Sequence, residues 1–534
     1  MRSSALRLTA RFRWKLAPAL LVVGIGDGLF YQRHLHGGYV GLFTLSVLAA
    51  LLMGRPALSR DRRAWVALAA AGLFTLALAY DASLLAWTLF WVAAGMAALI
   101  PATARFDDGW RWFQRLVLHG LRTPFAPWID LRQVLKVRAA GRGARWSLQG
   151  ALALLALPVV GSMVIIGLFA AANPLIAQLL STLVPPQLSV SLFARMAFWG
   201  LLFTIIWSLL RPRLPQRLLP TFDGSGDRPL PCVSIASVTL SLIVFNLLFA
   251  VQNLMDAAWL WGWAPMPDGM TMADYAHRGA YPLIATALLA ALFVLVTLRP
   301  GSATAGAAAI RKLVMVWIGQ NIVLVASSML RTIDYIDAYS LTRLRIAALI
   351  WMALVGFGLA TICWRLLRGR SGAWLINVNL AAAALVLAAV SFVDLGAIAA
   401  RWNVRHAREV GGQGVALDLC YLNDLGSAAL LPLLALEARP DVRQPFRERV
   451  QSVRMRLLDQ LEMDQQNGWT LLGRRRLDAA RLIVAERGAV TLAPGARDCA
   501  GALIPTPEPA PPPPSPPAPD RATPKPALTE ATRK

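Results

Sequence analysis

Charged and aromatic side chains are concentrated in one short stretch between two long apolar segments. It runs from Arg331 to Arg345 and contains three Arg, two Asp and two Tyr. Arginine side chains form bidentate hydrogen bonds with phosphate and carboxylate groups, so such a cluster can hold the phosphate of a lipid. Asn253 and Asp256, at the end of an earlier apolar segment, are expected alongside. The candidate substrate-binding site therefore comprises nine residues: Arg331, Asp334, Tyr335, Asp337, Tyr339, Arg343, Arg345, Asn253 and Asp256.

The same polar side chains also have a structural interpretation. Gln320, Ser327 and Arg331 recur at helical spacing on one apolar segment, and Asn253 and Asp256 share a face of another. Polar side chains in membrane helices commonly form hydrogen bonds to a neighbouring helix, worth about 0.6 kcal/mol each on average. The sequence leaves both interpretations open, a polar cavity or hydrogen bonding between helices.

Motifs of familiar enzyme chemistry are absent from the sequence. It has no HExxH, GxSxG, P-loop or nucleotide-binding glycine motif, and its cysteines and histidines lack zinc-site spacing. We therefore predict no catalytic residue, no cofactor and no metal.

The elements that position these residues are long apolar segments. Hydrophobic residues make up 57% of the 534 positions, and the mean hydropathy is +0.53, above the range of soluble domains. This pattern predicts an all-α polytopic membrane protein with about 11 transmembrane helices. The predicted spans are Leu16–Phe30, Tyr39–Met53, Ala64–Tyr80, Ala82–Ala102, Leu148–Ala171, Leu192–Leu210, Cys232–Met255, Gly279–Leu298, Leu313–Leu330, Ile346–Leu366 and Trp374–Val393.

The distribution of positive charge predicts the orientation. The N-terminal segment and every second connection together hold 28 Lys and Arg, whereas the opposite connections hold 5. Because cytoplasmic loops retain Lys and Arg, we expect a cytoplasmic N-terminus in a bacterial inner membrane and a periplasmic chain after Val393. The net charge of +24 is then topogenic, so we expect the lipid bilayer as a partner and no nucleic acid.

Composition divides the chain into five regions. We predict four helices in 1–103, a basic cytoplasmic loop in 104–147, a seven-helix region in 148–393, a small helical periplasmic domain in 394–503 and a Pro-rich disordered tail in 504–534. The basic loop is interpreted either as an amphipathic segment on anionic headgroups or as a solvated loop. The tail is either a polyproline spacer that reaches an envelope partner or a dispensable disordered terminus.

The cysteines follow the same division of compartments. Cys232 and Cys363 fall at cytoplasmic ends of predicted spans, where thiols stay reduced. Cys420 and Cys499 fall in the predicted periplasmic domain. They are therefore candidates for a disulfide that closes a loop of about 80 residues, worth roughly 4–5 kcal/mol in the loop-entropy model.

Four sequence segments resemble a known bacterial membrane family. They are Met329–Arg345, Tyr275–Leu283, the Asp418…Tyr421-Leu422…Leu425-Gly426 pattern and the Trp469…Arg481 stretch. The chain resembles over roughly residues 150–490 the family named domain of unknown function 4173, related to 4153. Ser340 stands where the resemblance leads us to expect glycine. The resemblance implies a multi-span membrane protein and carries no reaction, cofactor or catalytic residue.

Three classes of function are compatible with these features. The helical outer domain, the proline spacer and the lack of a catalytic constellation favour a membrane protein with an interaction, regulatory or envelope role, through a protein partner of the C-terminal domain. A transporter or channel for a small solute is the alternative, although we find no inverted repeat. A membrane enzyme acting on a lipid-linked substrate is the second alternative.

Overall fold

The computed structural model is described over most of the chain, and helix dominates it. The described residues are 2–103, 106–142, 190–215, 217–220, 234–260, 303–488 and 490–505, with isolated residues at 162, 165, 285, 286, 289, 292 and 293. Within these ranges the only strand-like pairing is a single bridge between Arg497 and Leu503. Most of the predicted spans 148–171 and 279–298 and of the tail 504–534 lies outside the described residues.

A first group of apolar helices is built from the N-terminal region and one later helix. It shares a core that contains the large buried side chains Phe43, Phe90 and Trp207. Its helices are α1 Arg2–Gly26, which continues as a π-helical turn over Asp27–Gln32, α2 Tyr39–Gly54, α3 Ala57–Arg60, α4 Arg62–Tyr80, α5 Leu84–Leu99 and a helix later in the chain, α8 Val190–Leu210. Although α8 belongs by sequence to the predicted seven-helix region, it packs against α1 and α2.

Two helices of the basic region cover one end of this group. They are α6 Gly109–Arg122 and α7 Ala126–Arg142. The Asp108 carboxylate caps α6 by accepting a hydrogen bond from the Arg111 amide. Trp112 is buried, and the Gly109 amide donates to the Asn377 side chain at 2.6 Å. The basic region is therefore helical over residues 109–142, and its first helix, α6, packs against the later helix Gly372–Val390.

A second group of apolar helices forms its own core around Trp317. It consists of α9 Ile235–Leu260, α10 Ala303–Gly306, α11 Ala308–Tyr339, α12 Arg343–Arg368 and α13 Gly372–Val390. The helix α11 continues nine residues past the predicted span, so the expected connection 331–345 is reduced to three residues, 340–342. The predicted span ended where charged side chains begin. Charge marks the boundary of the apolar layer, but the backbone continues as a helix beyond it. Thr342 then caps α12.

Eight described helices are long and apolar enough to cross a membrane. Each of them overlaps one predicted span. The observed segments are Trp14–Gln32, Arg62–Tyr80, Leu84–Ala102, Leu192–Leu210, Ile235–Ala258, Ala308–Tyr339, Arg343–Arg368 and Gly372–Val390. The predicted second span is a 16-residue helix, α2, shorter than the others. The all-helical class is therefore confirmed, with eight candidate spans in the described ranges.

The C-terminal domain is a compact set of five helices. These are α14 Leu395–His406, α15 Leu419–Asp424, α16 Ser427–Glu437, α17 Gln444–Asn467 and α18 Leu471–Arg487. Gly426, with φ of 63°, separates α15 from α16, where helical periodicity alone predicts one helix. The domain core also includes Ile336 and Leu341 from the apolar region, so the domain rests directly on it.

Contacts between helix termini divide the molecule into two ends. At the basic end, which carries α6 and α7, Lys15 donates to the Leu210 carbonyl and Arg63 to the Thr103 carbonyl. At the domain end, which carries α14–α18, the His36 amide donates to the Asn467 carbonyl. These groupings place successive connections at alternate ends of the helices.

Candidate functional site

The predicted site contains a buried ion pair between α9 and α11. The Arg331 guanidinium donates to the Asp256 carboxylate, and both side chains are 7% exposed. Ser327 donates to the same carboxylate oxygen at 3.2 Å, and Gln252 to the other at 3.0 Å. An unpaired charge in an apolar span is expensive, so this pair joins the two helices and satisfies the Asp256 charge internally.

Amide side chains continue this contact along the same two helices. Asn253 donates to the Gln320 carbonyl at 3.1 Å, Gln320 donates to the Asn246 side chain at 2.9 Å, and Asn246 donates to the Leu313 carbonyl at 3.1 Å. Each step is a hydrogen bond between helices. For Asn253 and Asp256 the geometry therefore follows the structural interpretation of the polar stripes.

The cationic side chain of Arg345 folds back onto the end of α11. Its guanidinium lies 4.0 Å from the centre of the Tyr335 ring and donates to the Tyr339 carbonyl at 2.7 Å and to the Ser340 carbonyl. The Tyr335 and Tyr339 rings are 5.0 Å apart. Because Ser340 has φ of 70°, a conformation that favours glycine, Arg345 stabilises a strained turn.

Arg343 and its neighbour Leu341 connect the apolar region to the C-terminal domain. The Arg343 amide donates to the Tyr421 hydroxyl at 2.9 Å, and its guanidinium donates to the Asp424 carbonyl at 3.3 Å. The Leu341 backbone makes two hydrogen bonds with the Asn403 side chain, at 2.7 and 3.0 Å. These residues hold the domain against the α11–α12 turn.

The structure separates Asp334 and Asp337 from the arginines of the site. Both carboxylates are exposed on α11, and neither forms an ion pair within the described residues. Of the nine predicted residues, Arg331, Asp256 and Asn253 join helices. Arg345, Tyr335 and Tyr339 shape the turn, and Arg343 holds the domain.

A second cluster of charged side chains lies where the C-terminal domain meets the apolar helices. The Asp394 carboxylate accepts a hydrogen bond from the Ala397 amide at 3.0 Å, which caps α14, and pairs with Arg476 of α18. Burial is the largest single effect on the pKa of Asp394 and acts to raise it. The hydrogen bonds from Arg476 and from the Ala397 and Gly396 amides, together with the Arg476 charge, lower the pKa by more, so the net direction is down. The pKa of nearby Asp81 is raised, mainly because the carboxyl group is buried and also because of the Asp394 charge. The positive charge of Arg476 acts in the opposite direction but is the smaller effect.

The first loop of the domain end forms a clasp with the α17–α18 turn. The His36 and Gly38 amides donate to the carbonyls of Asn467 and Trp469. A side chain at Gly37, whose φ is +62°, would overlap the Gly468 carbonyl, so this approach requires glycine. The clasp connects the N-terminal helices to α17 and α18, the last helices in the described part of the chain.

A disulfide joins Cys420 of α15 to Cys499, with a Cα–Cα distance of 4.8 Å. Its two cysteines are 79 residues apart in sequence. Arg449 and Arg456 of α17 donate to the Ala500 and Asp498 carbonyls in the same place. The last described segment is thereby fixed to the domain.

Comparison with known families identifies the chain. The model of the family described as domain of unknown function (DUF4153) matches residues 67–436. The chain belongs to the DUF4153 family. No curated protein and no solved structure is significantly similar to it. The related family 4173, which the sequence resembles, is not among these findings.

The DUF4153 match extends from within α4 almost to the end of α16. It begins earlier than the resemblance, which covers 150–490, and it includes the predicted site, Asp394 and the contact of Leu341 with Asn403. The clasp lies outside it on both sides, as does Cys499. In this DUF4153 protein the segment before the family region and the segment after it are therefore in direct contact, through the clasp.

Two charged clusters of the DUF4153 protein were not predicted. At the domain end, Asp27 accepts hydrogen bonds from Arg195 and Trp199 at 2.8 Å each. At the basic end, the buried Asp130 pairs with Arg211 at 3.1 Å and with Arg213. A signal existed for Asp130, because it is a lone acid near the centre of the basic region 109–142. Arg195 gave a signal too, because a charge inside a predicted span needs a partner, but no spacing rule connects it to Asp27, which lies 168 positions earlier.

Proposed function

We propose that this DUF4153 protein is a multi-pass protein of a bacterial inner membrane that holds its helical C-terminal domain in the periplasm, where the domain binds another envelope protein. One observation carries the proposal. The domain is held from two separate parts of the apolar region, by the 341–343 turn and by the clasp of residues 36–38. A domain so oriented presents one fixed face away from the bilayer.

The distribution of charge supports the orientation. The basic end collects the connections rich in Lys and Arg, which are retained in the cytoplasm. The Cys420–Cys499 disulfide is favoured by an oxidising compartment. The predicted anion site, by contrast, has its arginines occupied by internal partners, which favours an interaction role over transport or lipid-linked catalysis.

Photocrosslinking from exposed side chains of the domain tests the proposal. Met463 of α17 and Leu482 of α18 are 56% and 63% exposed and flank the ion pair of Glu462 with Arg481. A photoreactive amino acid at either position is expected to capture one discrete envelope protein in living cells. The matched control is the same residue at Leu121, 66% exposed at the basic end, where that product must be missing.

A fusion of alkaline phosphatase after residue 505 tests the orientation separately. Active phosphatase is expected, because the enzyme needs an oxidising compartment for its disulfides. An inactive fusion of normal abundance contradicts the periplasmic placement. Substrate-dependent flux in proteoliposomes, with no crosslinked partner, contradicts the interaction role.

A further inference from the structure

A large apolar cavity runs along the first helix group. Its volume is about 1030 Å³, at the upper end of the range for ligand pockets. It extends from Val40 and Leu84 at the domain end to Thr123 and Leu209 at the basic end, with Trp87 between them. A cavity of this length and apolar character fits an extended hydrocarbon chain.

The lining residues of the cavity include side chains on the outside of the helix group. Leu84, Val92 and Leu201 line it and are 80%, 41% and 58% exposed. A hydrocarbon chain can therefore enter sideways from the bilayer, without passing through either end of the protein.

The cavity leads into a cationic pocket at the basic end. A pocket of about 250 Å³ shares His119, Thr123 and Ser208 with the cavity and adds Arg122. Arg211 and Arg213 line this pocket too. They also line a third pocket, of about 490 Å³, whose remaining cations are Lys15 and Arg55. The apolar cavity thus borders a polar neck, and clustered positive charge lies on the far side of that neck.

Positive charge exceeds negative charge in these two pockets. Five cations line them, Lys15, Arg55, Arg122, Arg211 and Arg213, whereas Asp130 is their one carboxylate among the described lining residues. Asp130 is 1% exposed and is shared by Arg211 and Arg213, so it balances one charge only. Burial lowers the pKa of Arg55 to about 10, which leaves it charged at neutral pH.

Two side chains at the neck have polar atoms available for a ligand. The His119 Nε2 atom is buried, with no hydrogen-bond partner among the described residues. Burial and the nearby Arg55 lower the pKa of His119, so its ring is neutral at neutral pH and offers a donor or an acceptor. The Arg122 side chain makes no hydrogen bond or ion pair within the described part of the chain.

We propose that the cavity binds one lipid with an anionic phosphate headgroup. Its tail lies along the apolar cavity beside Trp87, and its phosphate is held at the neck by Arg122 and Arg213, with His119 alongside. Guanidinium groups bind phosphate oxygens through charge-assisted hydrogen bonds. A lipid phosphate matches both parts of the site, because a free anion leaves the apolar cavity empty. This inference does not depend on the proposed function of the C-terminal domain.

Native mass spectrometry of the full-length protein tests the charged part of the site. The protein is titrated with phosphatidylglycerol and, separately, with zwitterionic phosphatidylcholine. We expect one tightly retained phosphatidylglycerol and no retained phosphatidylcholine. The R122Q/R213Q variant is expected to bind phosphatidylglycerol at least about tenfold more weakly, since hydrogen bonds to charged groups are lost.

A matched variant separates this site from general surface attraction. R60Q/R62Q removes the same charge at the same end, from exposed residues that line neither pocket. It is expected to bind phosphatidylglycerol as the wild type does. An equal loss of affinity in both double variants overturns the proposal. If R122Q/R213Q unfolds, the exposed single variant R122Q carries the test, with an expected loss of several-fold.

Filling the cavity tests its apolar part. Gly120 lines the cavity, and a Cβ added there meets no atom within 4 Å, so G120F is expected to fold and to lose the retained lipid. Gly72 of α4 has equally open surroundings but does not line the cavity, which makes G72F the control. Undiminished lipid binding by G120F overturns the proposal. A second outcome also overturns it. If inorganic phosphate displaces the lipid equally well from G120F and from G72F, the site binds a free anion and the apolar cavity plays no part.

Discussion

The two ends of the molecule differ in what lies beside their cationic side chains. At the domain end, Arg331 is paired with Asp256, Arg345 covers Tyr335 and the last turn of α11, and Arg343 holds the C-terminal domain. At the basic end, five cations line pockets that contain Asp130 as their described acid, beside a large cavity. A high density of charge in the sequence therefore does not by itself indicate a ligand site. A group of cations that outnumbers the carboxylates around an open space is the better indicator.

The largest effect is expected from unpairing the charge at the domain end. D256N leaves Arg331 buried without its carboxylate, and we expect a loss of about 3–5 kcal/mol in the free energy of unfolding. The measurement is reversible unfolding in mixed micelles. D256N/R331M, which removes both charges, should recover most of that loss. D337N, at an exposed carboxylate of the same helix, should change stability little. A D256N variant as stable as D337N contradicts the internal pairing.

The next effect concerns the disulfide, a covalent connection of the domain end. Replacing both Cys420 and Cys499 by Ser is expected to lower the stability of the C-terminal domain by about 4 kcal/mol, because a long loop in the unfolded chain is no longer closed. Chemical unfolding of the purified protein measures this. The matched control C363S replaces a free cysteine of α12 and should leave the midpoint unchanged. Unfolding that is equally insensitive to both changes argues against the bond.

A smaller effect is expected from the carboxylates beneath the domain, and its sign depends on pH. The folded-state pKa of Asp394 lies below its unfolded value, so its stabilisation is present above about pH 4 and is lost as pH falls through the folded pKa. D394N, which keeps the helix cap, should cost about 2 kcal/mol at neutral pH and nothing in strong acid.

Asp81 provides the opposite case for the same measurement. Its pKa is raised in the folded protein, so its ionised form costs stability at neutral pH, and protonation relieves that cost as pH falls. Thermal unfolding followed from pH 3 to 8 should therefore show D81N above the wild type at neutral pH and D394N below it. Parallel curves for the three proteins contradict the assigned pKa directions.

The smallest effect is expected at the α11–α12 turn. Ser340 has φ of 70°, and S340G is expected to stabilise the protein by about 1 kcal/mol by relieving backbone strain. The thermal midpoint in detergent measures this gain. S340A retains the strain and should not share it. A midpoint lowered by S340G shows that the serine side chain matters more than the backbone.

The sequence predicts helices well where a physical signal is continuous. Apolar windows located eight described helices within a few residues, because a membrane span needs about 20 consecutive apolar residues. The end of α11 was missed, since charge marks the boundary of an apolar layer and not the end of a helix. The break at Gly426 has no clear signal in the sequence, because a glycine inside an apolar periodic stretch is compatible with one continuous helix.

The side chains of the candidate site were located by the sequence, but their partners were not. The pairing of Arg331 with Asp256 bridges residues 75 positions apart, and no spacing rule connects two separate helices. The contact of Arg343 with Tyr421 has the same character. The apolar cavity of the first helix group could not be predicted for a further reason. A cavity of this kind is bounded by four or more helices, and no single stretch of sequence encodes it.

The clasp has a consequence for how the protein is made. The ribosome adds His36 and Gly38, the first half of the clasp, more than 400 residues before their partners Asn467 and Trp469. During membrane insertion the backbone amides of this early loop remain hydrogen-bonded to water until α17 has been synthesised and has packed against it. Completion of the clasp therefore requires that the chain has been synthesised at least as far as Trp469, and a truncation before residue 467 leaves that loop open.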